Sequence, residues 1–213
     1  MSDRPSIPQP SLRRLPLYYR LVSLNHDKKL AYTSSRDLGL TANVPAARVR
    51  KDLSYLGERG RPGVGYDTEL LMQRLETFLG LINDKEAVLV GVGNLGRALA
   101  LYPGFARYGL KIAGLFDIDP AKIGQMVGTL KIMDQSRLPD LVRRWRIQMG
   151  IIAVPAQAAQ GVAEKLIRSG ISVIWNFAPV TLVVPPYVLV KDEDLAVDLA
   201  TLSHQIVERD QAR

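Results

Sequence analysis

The chain has 213 residues, 47% of them hydrophobic, which is enough for one large domain or two small ones with a real core; no apolar run approaches the roughly 18 to 20 residues that cross a bilayer. It contains no cysteine, which excludes disulfides, thiol catalysis and cysteine-ligated metal, so any redox function must reside in a bound cofactor. The net charge of +7 is all in the first third: residues 1–62 carry 12 Lys/Arg against 5 Asp/Glu, and residues 63–213 carry 16 of each sign. A basic excess confined to one segment is what a phosphate-backbone partner requires, because each cation near a phosphate releases condensed counterions.

In chain order, the start "MSDRPSIPQPSLRR" lacks the apolar core of a signal peptide, so a cytoplasmic protein without a membrane partner is expected, and residues 1–11 read as a frayed lead-in. From Leu12 to about Leu24, Leu15, Tyr18, Tyr19 and Val22 recur at helical spacing and predict a first helix. "SSRDLGLTANVPAARVRKDLSYL" offers Ser34 or Ser35 as an N-cap, a short helix through Leu38, a break near Asn43, and a further helix from about Pro45 to Leu56. In that helix Val49, Leu53 and Leu56 share the inner face, which leaves Arg48, Arg50, Lys51, Ser54 and Tyr55 outward. "GERGRPGVGYD" then suits a tight turn excursion with Arg59 and Arg61 between its glycines and prolines. Helix, short helix, helix and basic hairpin is the order of a winged helix-turn-helix, whose last helix enters the major groove while the hairpin touches backbone or minor groove.

An amphipathic connector, Thr68 to Leu81, leads into alternating short apolar runs and helices. Strands are predicted at about 86–91, 111–119, near 130, 149–155 and 171–179, with helices from Leu95, near 138–144 and at 156–168. This is α/β: a mainly parallel sheet with helices on both faces. The last segment, Asp194 to Gln211, places Leu195, Leu199, Leu202 and Ile206 on one stripe that must be buried on its own domain or on a partner's. The expected division is 1–80, 81–191 and 192–213.

"VLVGVGNLG", Val88 to Gly96, is G-x-G-x-x-G after a predicted strand and at the start of a helix, with an acidic residue, Asp117, ending the next strand. Gly91 permits the tight turn, Gly93 lets a pyrophosphate approach the backbone, and Gly96 lets helix and strand pack closely. Asp117 suits a ribose 2′-OH and would repel a 2′-phosphate, which favours NAD(H) over NADP(H). "AVP" ending at Pro155 and "NFAP" from Asn176 fall at later strand ends and are candidate walls of the nicotinamide half. A small NAD-dependent oxidoreductase or a nucleotide- or CoA-binding module would share this sheet, but neither needs the basic N-terminal third. A dehydrogenase also needs a general acid or base and commonly a substrate domain, and neither is legible here. His26, in "NHDKK", and His204, on the terminal helix, lie in no metal-ligand spacing, and no metal or catalytic residue is expected.

"SSRDL", "VRKDLSYLG" followed by "GVGY", "GVGNLGRAL", "FDIDPAKIG" and "WNFAPV" together resemble the Rex redox-sensing transcriptional repressors, from about Leu12 to Gln205. The resemblance implies a homodimer with an exchanged C-terminal helix. It binds palindromic operator DNA when NADH is low and releases it when NADH binds, so that the NADH/NAD⁺ ratio is sensed. Carried onto this chain, it implies DNA contacts from Arg48, Arg50, Lys51, Ser54, Tyr55 and Arg61. It implies a nucleotide site at Gly91, Val92, Gly93, Asn94, Leu95, Gly96, Asp117, Lys122, Pro155, Asn176, Phe177 and Ala178, and a relay through Arg20, Tyr102 and Asp194. Pro45 stands where relatives have a polar N-cap, Arg59 where an aromatic is expected and Pro62 where an Arg is expected, so wing contacts rest on Arg61 and Arg59.

Overall fold

The computed structural model describes residues 7–211, and the chain divides into two compact units between Asn83 and Asp84. Among the described residues, no helix is long and apolar enough to cross a membrane.

The first unit opens with α1, Gln9–Asp27, three residues earlier than the sequence pattern indicates. Pro8 precedes it and Pro10 lies in its first turn, where the missing N–H has no helical partner to lose. Residues 7–11 thus belong partly to a helix, while residues 1–6 of the expected lead-in lie outside the described residues. The expected stripe Leu15, Tyr18, Tyr19 and Val22 is buried, and α1 packs on α4, Thr68–Leu79, through Leu71 and Leu75. Each such fully buried aliphatic contributes roughly 1.5 to 3 kcal/mol.

Between these helices lie α2, Ser35–Ala42, and α3, Ala46–Ser54. Ser34 caps α2 by accepting the Asp37 N–H at 3.1 Å, and the helix continues past Leu38 to Asn43, whose φ of 52° ends it in the left-handed region. The short pair β1, Tyr32–Thr33, and β2, Tyr66–Asp67, is antiparallel, and beyond it Arg61 bridges Gly65 to close the hairpin over residues 61–65.

The second unit is a seven-stranded sheet. Its strands are β3 (Lys85–Val90), β4 (Leu110–Asp117), β5 (Met126–Val127), β6 (Leu130–Asp134), β7 (Met149–Ile152), β8 (Val173–Asn176) and β9 (Leu189–Asp192), in the spatial order β5-β6-β4-β3-β7-β8-β9. All neighbours are parallel except β5 with β6. β9 has no counterpart among the predicted strands.

Helices α5 (Asn94–Ala100), α6 (Leu138–Trp145) and α7 (Ala156–Arg168) cover the faces. The alternation along β3 divides the core: Val88 and Val90 join Leu141, Val142, Val162 and Leu166 on one face, and Ala87 and Leu89 join Leu115 and Ile151 on the other. Chain order reverses direction across the sheet at β3, with β4 on one side and β7 on the other. The carboxyl ends of these strands therefore form the crevice where ligands of such sheets bind. The last helix, α8, spans Leu195–Gln211.

Candidate nucleotide site and nucleic-acid interface

α3 is amphipathic in the expected sense. Val49 and Leu53 are buried and Leu56 is half-buried, while Arg48, Arg50, Lys51 and Ser54 are exposed and Tyr55 is half-buried. The inner face carries one residue that periodicity did not single out. Asp52, only 1% exposed, accepts a two-pronged bond from the Arg14 guanidinium at 2.7 and 2.8 Å and the Tyr18 hydroxyl at 2.7 Å. Burial alone would push the Asp52 carboxyl up, but these hydrogen bonds outweigh it and hold the group below its ordinary value. The three side chains tie α3 to α1.

The first turn of α2, the outer face of α3 and the wing enclose a crevice of about 680 Å³ lined by Ser35, Arg36, Arg50 and Arg61. Arg50 donates to the Ser35 hydroxyl at 3.3 Å. Arg61 donates to the Tyr32 hydroxyl at 3.3 Å with its guanidinium 5.9 Å from that ring's centre. Among the described residues, Arg36, Arg48, Arg50, Lys51, Arg59 and Arg61 pair with no carboxylate, so their charge faces outward uncompensated. Arg36, Ser35 and Tyr32 were missed from the sequence; the signal for the first two is "SSRDL", whose cap places Arg36 one residue into α2. Pro45 sits just before α3, with φ −59° suited to that position.

In the second unit Gly91 has φ +94°, and a Cβ there would lie 2.5 Å from the Ala153 carbonyl oxygen, so only glycine fits. At Gly96 a Cβ would run into the Gly91 carbonyl oxygen, which is the close helix–strand approach expected of the third glycine. Gly93 differs: a Cβ there meets nothing of the chain within 4 Å. Its small size is required only if something from outside lies against it, which fits a diphosphate. Val92 is a buried core residue, and Asn94 and Leu95 open α5 exposed.

Asp117, 6% exposed, accepts the Val92 N–H at 2.8 Å, the Asp119 N–H at 3.0 Å and the Lys122 ammonium at 3.2 Å. Burial would raise its carboxyl, but these donors outweigh burial and hold it below the usual value. It is therefore an anion bound directly to the glycine loop. Gly91, Gly93, Asp117, Lys122 and Pro155 line one cavity of about 350 Å³ at the carboxyl ends of β3, β4 and β7.

Asn176, Phe177 and Ala178 lie at the end of β8 and do not line that cavity. The Asn176 side chain is fully buried. It donates to the Val180 carbonyl and the Asp192 carboxylate, both at 2.8 Å, and accepts the Ala178 N–H at 3.0 Å. It shapes the loop after β8, and its polar atoms face the protein rather than a ligand. Phe177 packs at a tilt against Trp175, Trp175 at a tilt against Phe105, and Phe105 edge-on against Tyr102, with centroid separations of 5.0, 5.5 and 5.0 Å. The structure thus joins two expected residues, Tyr102 and Phe177, through an aromatic row.

Asp194 has a local role as well: it accepts the Ala196 N–H at 2.9 Å and caps α8. Arg20 is exposed on α1 in the first unit. On α8, Val197, Leu199, Leu202, Ile206 and Val207 are exposed, while the side chain of Leu195 lies outside the described residues. His26 lies in the last turn of α1, and His204 pairs with Glu208 at 3.3 Å.

Two family profiles match the chain: "Putative DNA-binding protein N-terminus" over residues 6–54 and "CoA binding domain" over residues 82–180. The Rex redox-sensing transcriptional repressor of Chloroflexus aurantiacus is 45% identical over 205 residues, 96% of both chains, and that of Chloroflexus aggregans 44% over 210 residues, 99% of this chain and 98% of its own. Among solved structures, RSP bound to β-NAD⁺ and operator DNA superposes with a TM-score of 0.88 at 34% identity, covering 97% of this chain and 95% of its own. RSP bound to β-NADH gives 0.85 at 33% identity, covering 96% of each. A full-length match at this identity, over a basic helix-turn-helix and a glycine-loop sheet alike, means that the chain belongs to the Rex family of redox-sensing transcriptional repressors.

Proposed function

We propose that the chain represses transcription by binding operator DNA through α3 and the wing, and lets go when NADH occupies the glycine-loop site. The observation that supports this reading is the coexistence, in one chain, of an uncompensated basic helix-turn-helix face with a glycine-loop cavity at the strand ends, to whose loop Asp117 is bonded. Residues 1–80 form the operator reader, 81–191 the sensor, and 192–213 a helix exchanged between two copies.

Arg48, Arg50, Lys51 and Ser54 meet the major groove, Tyr55 the backbone, and Arg61 enters from the wing. The diphosphate of NAD(H) lies over Gly91, Gly93 and the start of α5, where unpaired N–H groups favour negative charge. The adenosine ribose meets Asp117 and Lys122, and Pro155 and the Asn176–Ala178 loop border the nicotinamide half. The nicotinamide supplies only a redox-dependent shape and charge; no residue here acts as a catalytic acid or base, and the chain works as a sensor and not an enzyme.

The switch is a linkage. NADH favours a homodimer arrangement whose recognition helices no longer match successive major grooves, about 34 Å apart for half-sites one turn apart. NAD⁺ must favour that state less, since a ligand with equal affinity for both states shifts nothing. Arg20, Tyr102 and Asp194 carry the coupling between reader, sensor and partner. Operator release measured in parallel with NADH, NAD⁺ and NADPH tests the reading: release by NADH at the lowest concentration is expected, and equal release by all three, or none, overturns it.

A further inference from the structure

The cavity at the carboxyl ends of β3 and β4 has one polar lining residue with no task so far. Gln135 follows β6, which runs parallel to β4 with Asp134 opposite Asp117. It therefore stands one residue beyond the strand end beside the one that carries Asp117. The Asp134 carboxylate accepts the Ser136 N–H at 2.7 Å and pins this turn. Gln135 is only 9% exposed, yet among the described residues its carboxamide has no hydrogen-bond partner. Its polar atoms are not sealed in the protein, and Gln135 lines the cavity together with the apolar Val154, Ala158 and Val162. A carboxamide that no group of the protein uses, held at the rim of this cavity, is free to bond to a ligand there.

We propose that Gln135 reads the adenine base of the bound dinucleotide. The inference rests on the nucleotide reading above. With the diphosphate over Gly93 and the ribose on Asp117, the base lies one strand further out, over the end of β6. A carboxamide offers one acceptor and one donor side by side, and these satisfy the adenine amino group and N7 together. Hypoxanthine replaces that amino group with a carbonyl oxygen, so the same edge presents two acceptors and only one finds a donor.

The test is titration calorimetry on the full chain with NADH and its hypoxanthine analogue. The wild type is expected to prefer NADH by about ten-fold, the scale of one hydrogen bond replaced by an unpaired group. Gln135→Leu should bind NADH about ten-fold more weakly and lose that preference, with operator binding in the absence of nucleotide unchanged. Gln135→Asn, too short to reach the base, should behave the same way and serves if the leucine variant fails to bind operator. A preference that survives in the variants, or a wild type with no preference, overturns the role of Gln135 while leaving the nucleotide site intact. A wild type that binds no NADH overturns both.

Discussion

Removing the Asp52 carboxylate gives the most demanding check on how the reading head is held. In Asp52→Ala, the Arg14 guanidinium and the Tyr18 hydroxyl lose the group that accepts three bonds of 2.7 to 2.8 Å from them. Breaking a buried ion pair by deleting one partner costs about 3 to 5 kcal/mol. The Arg14 side chain is 17% exposed and regains some water, so the lower end, about 3 kcal/mol, applies. For a unit of this size each kcal/mol moves the midpoint by about 4 to 8 °C, so the first unit should melt about 12 to 24 °C lower.

The assay is thermal unfolding of the full chain followed by circular dichroism and by operator binding, with NADH affinity measured well below the transition. NADH affinity should be unchanged. The sign with pH is set by the lowered carboxyl: the stabilisation is present above the unfolded-state value, near 3.8, and is lost as pH falls through the lower folded value. The gap between wild type and variant should therefore narrow in acid. A midpoint shift below about 4 °C at neutral pH, or a gap that widens in acid, would refute the assignment of Asp52 as the anchor of α3.

Arg50→Ala and Lys51→Ala should each weaken operator binding and flatten its salt dependence by about one unit of log–log slope per lost phosphate contact, with NADH affinity retained; loss of both functions would mark them as structural. Asp117→Ala should narrow the preference for NADH over NADPH, and an unchanged ratio in competition binding would remove Asp117 from the ribose. Gly91→Ala forces a Cβ to within 2.5 Å of the Ala153 carbonyl oxygen at a φ of +94°, so nucleotide binding should be lost while the first unit still binds operator. Leu202→Glu with Ile206→Glu puts charge on the exposed stripe of α8 and should shift the mass seen by light scattering from two copies to one; an unaltered mass would argue that α8 does not join subunits.

Much of this was legible because the signals were local and periodic. The outer face of α3 follows from spacing alone, and the glycine loop with Asp117 is a contiguous strand, turn, helix and strand. What escaped depends on contacts distant in sequence. Asp52 occupies an inner-face position where a charge breaks the pattern, and only the fold brings Arg14, 38 residues earlier, to pair with it. Gln135 looks like any residue after a strand until β6 is laid beside β4. Asn176 sits in a segment that looks like a ligand wall, but Asp192 of β9 and the Val180 carbonyl use its side chain instead. β9 itself was hidden because "LVKD" is short and bounded by charge, and it is fixed as a strand only by pairing with β8. The prolines ahead of Leu12 argued for a frayed start, whereas Pro8 and Pro10 fall where a helix tolerates them.

The bond from the Val92 N–H to Asp117 ties the glycine loop to β4 within the protein itself. That end of the crevice is therefore built in advance, and in the proposed mode of binding it holds the part of the dinucleotide that is identical in its oxidised and reduced forms. A grip of this kind acts as a handle: it sets how tightly either form is held and conveys nothing about electrons. The message must be composed at the other end of the molecule, so substitutions around Asp117 should shift the concentration at which the switch responds without altering the ratio to which it is tuned.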